Sequence, residues 1–429
     1  MREMKDSGIE WIGKIPLNWG IRKTKYVVSL YTGNSISDNE KDKYEDNTDA
    51  VPYIATKDIK QEFNIIDYDN GMYVKEKDES FCRAFPGSTL MCIEGGSAGR
   101  KKALVDRKVC FVNKLCCFAP TDIDAKYLYF ILNSPHYEAE FNNNISGLIG
   151  GVSKAKLGEF YLPYADRDTQ EKIGNYLDAK CAKIDSFIKK QQAIIEKLKE
   201  YKVSVITETV TKGITNKNNL KNSKIDWIEA IPEHWRECRV ANLYKQTSEN
   251  GNENLPFLTV SINSGISDRE LEDDEQDRSF VRSEDRTKYK KVQPGDLVYN
   301  MMRAWQGAFG AARVEGMVSP AYVTCRPINV NTIDTRYIEY LFRTPIAIEE
   351  MHRYSHGVAD FRLRLYWDEF KNIKLCLPPL SEQTAISDYL DSKVRSIEAT
   401  ISDREKIIEK MDEYRKSLIY EVVTGKKEV

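Results

Sequence analysis

The chain carries the same long amphipathic helix twice, and this duplication constrains its fold more than any other feature. From Tyr176-Leu177-Asp178 the apolar residues recur as Leu177, Ile184, Phe187, Ile188, Ile194, Ile195, Leu198, Tyr201 and Val205, the three-and-four spacing of one helical face. A second run starts at Tyr389-Leu390-Asp391 and continues in the same register through Ile397, Ile407, Ile408, Met411, Tyr414 and Leu418. Charged residues fill the opposite faces, Lys189, Lys190, Glu196 and Lys197 in one copy and Glu405, Lys406 and Glu409 in the other. Two like stripes in one chain most simply bury each other, and a two-fold relation between the halves makes the pair antiparallel. From Leu177 to Val205 the stripe runs roughly 42 Å at about 1.5 Å per residue, which reads as a spacer. Midway, Gln191 and Arg404 occupy stripe positions. In an antiparallel pair they meet, and a hydrogen bond there would fix the register as buried polar residues do in coiled coils.

The repeat covers whole halves. Trp11, Ile12, Ile15, Pro16 and Trp19 are answered by Trp227, Ile228, Ile231, Pro232 and Trp235, a spacing that suits docking anchors of a lead-in segment. Short strand-like runs follow: Val51 to Ile54 with Leu255 to Leu258, then a Pro-Gly turn feeding a strand at Phe85 to Met91 and again at Gln293 to Tyr299. Each strand enters a loop of small residues, Gly95 to Lys102 in one half and Arg303 to Gly310 in the other. Return strands at Val109 to Val112 and Val318 to Val323 and a short helix complete each half. Leu162-Pro163 with Gln170, and Leu377-Pro378 with Gln383, mark the stop before each long helix. These landmarks divide the chain into a first domain with its lead-in over 1–163, a long helix over 164–212, a polar linker over 213–224, a second domain over 225–378 and a second long helix over 379–425. The predicted fold class is α+β: two tandem α+β domains separated by two long helices that form an antiparallel coiled coil, with a pseudo-two-fold internal repeat.

At 429 residues, 41% of them hydrophobic, the chain is long enough for about two to four domains with real cores. A formal charge of −2 excludes a wholesale basic nucleic-acid binder, so any such binding comes from local patches. Nine cysteines, an odd count without metal spacing, fit buried thiols in a reducing compartment better than a disulfide framework. The start, Met1 to Asp6, leads into no apolar run of signal or membrane length, so a cytoplasmic protein with no membrane association is expected.

Catalytic patterns fail in detail. His352 and His356 stand four apart without a Glu between them or cysteine pairs nearby, so no metal site is expected. Gly95 and Gly99 are one residue too close for a phosphate loop, and Lys101 is followed by Lys102 where Ser or Thr would hold magnesium. Rossmann and nucleophile-elbow glycines are missing from any strand-turn-helix context, as is the Asn-Pro-Pro-aromatic motif of an adenine methyltransferase. No catalytic residue is therefore assigned.

Binding is better supported. The first half gathers Arg100, Lys101, Lys102, Arg107, Lys108 and Lys114 against a single Asp106, with Ser97 and Asn113 as further donors. The second half has Arg282, Arg286, Lys288, Lys290 and Lys291, then Arg303, Trp305 and Gln306 in its loop, and later Arg362 and Arg364. Any one of these alone reads as ordinary solvated charge. Clusters at the same place in both halves read as groups that contact phosphates and base edges, Arg suiting guanine and Gln or Asn suiting adenine. The candidate DNA contacts are Ser97, Arg100, Lys101, Lys102, Asn113, Lys114, Arg282, Lys288, Arg303, Trp305, Gln306, Arg362 and Arg364. The acidic run Glu270 to Asp277 should face away from nucleic acid.

In this order and duplication, the motifs make the chain resemble the specificity subunits (HsdS) of type I restriction-modification enzymes. The lead-in Trp11-Ile12 with Ile15-Pro16 and its twin, the run Leu377-Pro378-Pro379-Leu380-Ser381-Glu382-Gln383 into Tyr389-Leu390-Asp391, and Met302-Arg303-Ala304-Trp305-Gln306-Gly307 with Val318-Ser319-Pro320-Ala321-Tyr322 carry the resemblance, which covers essentially the whole chain. The first copy departs from the pattern at Tyr164 to Asp168, which is longer than the second. The resemblance implies a non-catalytic subunit whose two target-recognition domains each read one part of a split stretch of double-stranded DNA. It implies two methyltransferase (M) subunits and restriction (R) subunits as partners. S-adenosylmethionine, ATP and magnesium would sit on those partners and no cofactor on this chain. The unlike loops imply unlike half-sites and so an asymmetric target. The alternative is a two-lobed coiled-coil scaffold that binds proteins and no DNA; the helices are common to both readings, and the basic loops favour DNA.

Overall fold

In a computed structural model of the chain, residues 3–61, 64–147, 150–214, 219–252, 254–262, 264–271, 288–357 and 363–429 are described. They form two units, Met1–Gln192 with Glu405–Val429, and Ala193–Arg404.

The first unit is built around the strand Thr89–Cys92, which is buried along its whole length and for that reason reads as an unbroken apolar run. The turn before it places Gly87 at φ +87°, a conformation that favours glycine. This strand pairs antiparallel with Lys102–Leu104 on one side and Leu115–Pro120 on the other, and Val28–Thr32 completes the sheet. A second sheet runs Tyr73–Lys75, Ala50–Ile54, Val109–Phe111, Arg83–Ala84, with Ala50–Ile54 and Val109–Phe111 parallel. Two short helices follow, Ala125–Leu132 and Pro135–Asn143, where the sequence suggested one. Pro135 opens the second of them, because a first helical position needs no N–H and favours the fixed φ of proline, and Ser134 caps it.

The first long helix spans Arg167–Lys212. It begins where Asp166 accepts from Thr169 N at 2.9 Å, an N-cap bond. In the first unit its residues Leu177, Cys181, Ile184 and Ile188 share one core with Leu418, Ile419, Val422 and Val423, which come from the end of the second long helix, Leu380–Val423. Arg415 Nη1 bonds Asp185 Oδ1 across this pair at 2.6 Å.

The second unit repeats the plan. Leu297–Asn300, again buried throughout, lies between Tyr322–Pro327 and Phe309–Ala311, and Tyr244–Thr247 forms the edge. The helices Thr335–Phe342 and Pro345–Arg353 are capped by Asp334 and Thr344. Here the end of the first long helix (Val205, Ile206, Val210) packs with the start of the second (Ile386, Leu390). Lys202 Nζ reaches Glu398 Oε1 at 3.2 Å, repeating the cross-helix ion pair of the first unit. Start lies with end in one unit and end with start in the other, which is antiparallel order. The helices extend past the stripes read from sequence at both ends, where Ile173, Val210, Ile386, Val422 and Val423 continue the buried face. Gln191, 8% exposed, belongs to the first unit and Arg404 to the second.

Two expected strands are changed by proline. The run expected at Val318 to Val323 divides into Gly316–Val318 and Tyr322–Pro327, because Pro320 has no N–H to give a ladder and Tyr322 N turns back to Ser319 O at 2.9 Å. At Leu255 to Leu258 there is a single parallel bridge, Phe257 with Met317, and no strand. The tryptophans of the lead-in segments are core anchors: Trp19 and Trp235 are fully buried, each edge-on to a buried tyrosine, Tyr127 and Tyr337. Each indole removes on the order of 200 Å² from water, about 5 kcal/mol at about 25 cal/mol per Å². All nine cysteines are free. Among the described residues no helix is long and apolar enough to cross a membrane.

Candidate nucleic-acid interface

The loop of the first unit leaves the buried strand at Ile93 and returns at Lys102. Gly95 and Gly99 sit at φ +83° and +71°, and the turn is closed by Ala98 N to Gly95 O at 2.9 Å and Gly99 N to Cys92 O at 2.8 Å. A Cβ on Gly99 would stand 2.5 Å from the Phe141 ring, so the loop lies too close to the helix Pro135–Asn143 for any side chain there. Ser97 is half-buried and Arg100 exposed, its guanidinium donating to the Gly96 carbonyl. The exposed turn of Asn113 and Lys114 is held against the loop by Ile93 N to Lys114 O, 3.0 Å.

Lys102 corrects the sequence reading. It is 2% exposed, and its Nζ donates to Leu132 O at 2.9 Å and pairs with Glu138 at 3.2 Å. Burial lowers its pKa while Glu138 opposes the shift, and the side chain lies on the wall of a cleft beside the long helices and outside the groove between loop and hairpin. In the strand Lys102–Leu104 both Lys102 and Ala103 are buried, so the first side chain is enclosed. Lys101 is half-buried and ties the loop to Thr56 O at 2.8 Å. Arg107 and Lys108 lie at the other end of that strand. Arg107 stacks on Tyr68 and pairs with Asp106, and Lys108 pairs with Glu76.

The sequence reading missed the segment that completes the site. After the second short helix the chain makes a hairpin, with Ser146 N to Gly151 O at 2.9 Å and Gly151 N to Ser146 O at 3.1 Å. It is stitched to the loop by Gly95 N to Gly150 O at 2.8 Å and Val152 N to Ile93 O at 3.0 Å. A Cβ on Gly151 would meet Ile93 O at 2.6 Å. Between loop and hairpin runs a groove of about 420 Å³, lined by Ile93, Glu94, Ser146, Gly147, Gly150 and Gly151. The signal was available in Gly147, Gly150 and Gly151, three glycines just beyond a proline-started helix.

The second unit has the same two-part construction with different side chains. Its loop contains one helical turn, Ala304–Gln306, ended by Gly307 at φ +91°. Trp305 is fixed by Nε1 to Met302 O at 3.0 Å and by an edge contact with His352, 5.8 Å between centroids. Arg303 and Gln306 are half-buried beside it. His356 and Arg364 pair, their backbones exchanging two bonds of 3.0 Å, and Leu365 N to Met301 O at 2.9 Å stitches this pair to the loop. Arg364 is exposed. Arg282, Arg286 and Arg362 lie outside the described residues. Lys288 is exposed beside a different, two-stranded sheet, Lys290–Val292 with Gly316–Val318; there Lys290 donates to Tyr322 O and Lys291 pairs with Glu315. The histidines are part of this loop scaffold, and among the described residues no group of three or more His, Cys, Asp or Glu is placed to hold a metal.

The profile described as the type I restriction modification DNA specificity domain matches residues 16–200 and 238–409, one stretch in each half. The chain belongs to this family. The EcoBI specificity subunit of Escherichia coli is 22% identical over 411 residues, covering 90% of this chain and 81% of that one. The putative MjaX specificity subunit of Methanocaldococcus jannaschii is 22% identical over 435 residues, covering 97% and 95%. The MjaIX specificity subunit of the same archaeon is 25% identical over 268 residues; the match takes in 58% of this chain and spans 59% of that relative's length. Among solved structures, a chain from work on complex assembly and conformational transition of the type I R-M system superposes with a TM-score of 0.68 at 12% identity, over 95% of this chain and 98% of that one. The HsdS subunit from Thermoanaerobacter tengcongensis superposes with a TM-score of 0.51 at 13% identity, over 96% and 98%. At these identities the likeness shows the fold. The chain is thus a type I specificity component, the non-catalytic part of a restriction system. In it the two units agree in their central four-stranded sheet, caps and helix contacts, and differ in their second sheet and in the side chains of their loops.

Proposed function

We propose that this chain is the DNA-reading subunit of a type I restriction-modification complex, each unit reading one half of a bipartite, asymmetric target. The observation that carries this reading is the paired site: one scaffold twice, holding a glycine-rich loop with Ser97, Arg100, Asn113 and Lys114 in one unit and Arg303, Trp305, Gln306 and Arg364 in the other. Like scaffolds place both readers on the duplex in the same way, and unlike side chains select unlike bases. Such a subunit works on DNA in the cytoplasm.

Two methyltransferase subunits would dock on it, and restriction subunits would join them. A partner present in two copies needs two equivalent surfaces, and the units supply a matched pair of clefts. In the first unit a cleft of about 500 Å³ is lined by Cys181, Asp185, Arg415, Lys416 and Ile419. In the second unit a cleft of about 380 Å³ is lined by the corresponding Val394, Glu398, Lys202, Val203 and Ile206. S-adenosylmethionine, ATP and magnesium belong to the partners, and this chain takes no cofactor.

The test is to express the chain with its methyltransferase partner and sequence the host genome for modified adenines. A split, asymmetric motif that appears only with this chain establishes the reading and gives both half-sites. A stable complex that adds no methylation overturns it.

A further inference from the structure

Beyond the two loops, the first unit presents a face more basic than its counterpart in the second. Thr24 N and Oγ1 both donate to Phe160 O, at 2.8 and 3.0 Å, and fix the turn Thr24–Val27 against the strand Tyr161–Tyr164. This brings Lys23 and Lys25 beside the one-turn helix Lys154–Gly158, whose Lys154 and Lys156 are exposed. A Cβ on Gly158 would touch the Lys25 side chain at 3.4 Å, so the two segments are in contact. Glu159 is the acid among them, accepting from Lys23 at 2.7 Å and Lys25 at 2.6 Å. Four cations, Lys23, Lys25, Lys154 and Lys156, therefore stand against one carboxylate, while Arg22 lies over Tyr164 on the other face of the strand.

Aromatic rings lie between the cations. Lys23 covers Tyr161 at 5.4 Å, and Lys25 covers Tyr26, which is 67% exposed, at 5.3 Å. Ser153 caps the helix, two residues beyond the glycine hairpin, so the face is continuous with the candidate reading loops. At the corresponding place the second unit keeps Arg239 for Lys23 and has Lys374 for Tyr161, but it has Ala241 for Lys25, and Trp367, Asp368 and Glu369 on its short helix, with Lys371 paired to Asp368 at 2.5 Å. The two faces differ in charge although the backbones correspond.

Exposed lysines are point charges suited to phosphates, and carry no base information. We propose that this face of the first unit binds the phosphodiester backbone beside the half-site that unit reads, a contact the second unit does not make. The proposal rests on the DNA-reading function above. It makes the two units unequal in the length of duplex they grip as well as in the bases they select.

The test uses the complex assembled with its methyltransferase partner on a long duplex carrying the mapped target. Affinity is measured by fluorescence anisotropy across a potassium chloride series. Lys154→Ala with Lys156→Ala should reduce the slope of log affinity against log salt by about two, at about 0.9 per phosphate contact. Hydroxyl-radical protection should shorten on the flank next to the first unit's half-site. The methylated sequence should stay the same, and Lys154→Arg with Lys156→Arg should restore slope and footprint. An unchanged slope and footprint would overturn the proposal. So would an unchanged slope with loss of co-purifying methyltransferase, which would assign the face to a protein. A wild-type complex that methylates no defined sequence would overturn the DNA-reading function itself, and the proposal with it.

Discussion

Tyr127 Oη donates to the carbonyl of Val423 at 2.9 Å, and its counterpart Tyr337 Oη donates to the carbonyl of Val210 at the same distance. Both phenols are completely buried and lie within reach of a second carbonyl, Pro163 O and Cys376 O, each at 3.1 Å. A last-turn helix carbonyl has no partner within its own helix, so each tyrosine satisfies a group that the fold would otherwise leave orphaned. The contact also clamps the end of a long helix onto the short helices of a unit. Tyr127→Phe keeps the ring and removes the donor. It should cost about 1–3 kcal/mol, read as a lower urea midpoint at unchanged m-value, and Tyr337→Phe should do the same. A midpoint equal to that of the unaltered chain would show that neither carbonyl depends on the tyrosine.

Lys102 and Arg100 separate stability from binding two residues apart. Lys102→Met leaves the Leu132 carbonyl and Glu138 without their buried donor and should destabilise the chain by about 1–3 kcal/mol. The methylated sequence should be unaffected. Arg100→Ala removes an exposed guanidinium and should leave the melting temperature alone while weakening binding to the target. Thermal unfolding and anisotropy on both variants distinguish the roles; weakened binding by a fully folded Lys102→Met protein would return that residue to the interface.

The long helices were legible because a period of three and four over many turns belongs to nothing else, and because it occurs twice. The anchors Trp19 and Trp235 were legible for the same reason. Side-chain direction within three-residue strands was not. Lys102 and Arg100 look alike in a basic run, and only the pairing of Thr89–Cys92 with Lys102–Leu104 turns one inward. The hairpin Ser146–Gly151 escaped because its partner, Ile93 with Glu94, lies far away in sequence, and a glycine cluster does not say what it approaches. Pro320 did carry the information that divides an expected strand, a lone proline inside an apolar run.

The division of labour between units gives a directional outcome for Arg303→Ala. Arg303 stands in the loop that Trp305 and His352 hold, within the second unit. The variant should therefore lower affinity by about 1–3 kcal/mol and relax the sequence of one half-site, leaving the other as it was. Genome-wide mapping of modified adenines reads both halves in one experiment. Unchanged affinity and an unchanged motif would remove that loop from the reader, and relaxation of both halves would mean that the units do not read independently.

His136 gives the first unit a defined dependence on pH. Its ring stacks on Tyr420 with centroids 3.5 Å apart, and Lys426 Nζ lies 4.0 Å from the Tyr420 centroid. Burial, and then the charge of Lys426, lower the imidazole pKa from its ordinary 6.5. A histidine whose folded pKa is depressed binds fewer protons in the folded chain than in the unfolded one. Its contribution is therefore fully present above pH 6.5 and is lost as the pH falls through the folded value. His136→Gln removes the titration. The melting temperature of the unaltered chain should then fall more steeply than that of the variant on going from about pH 7 to about pH 5, so that any difference between them narrows with acid. Parallel curves over that range would mean that His136 takes up its proton as readily in the fold as in the unfolded chain.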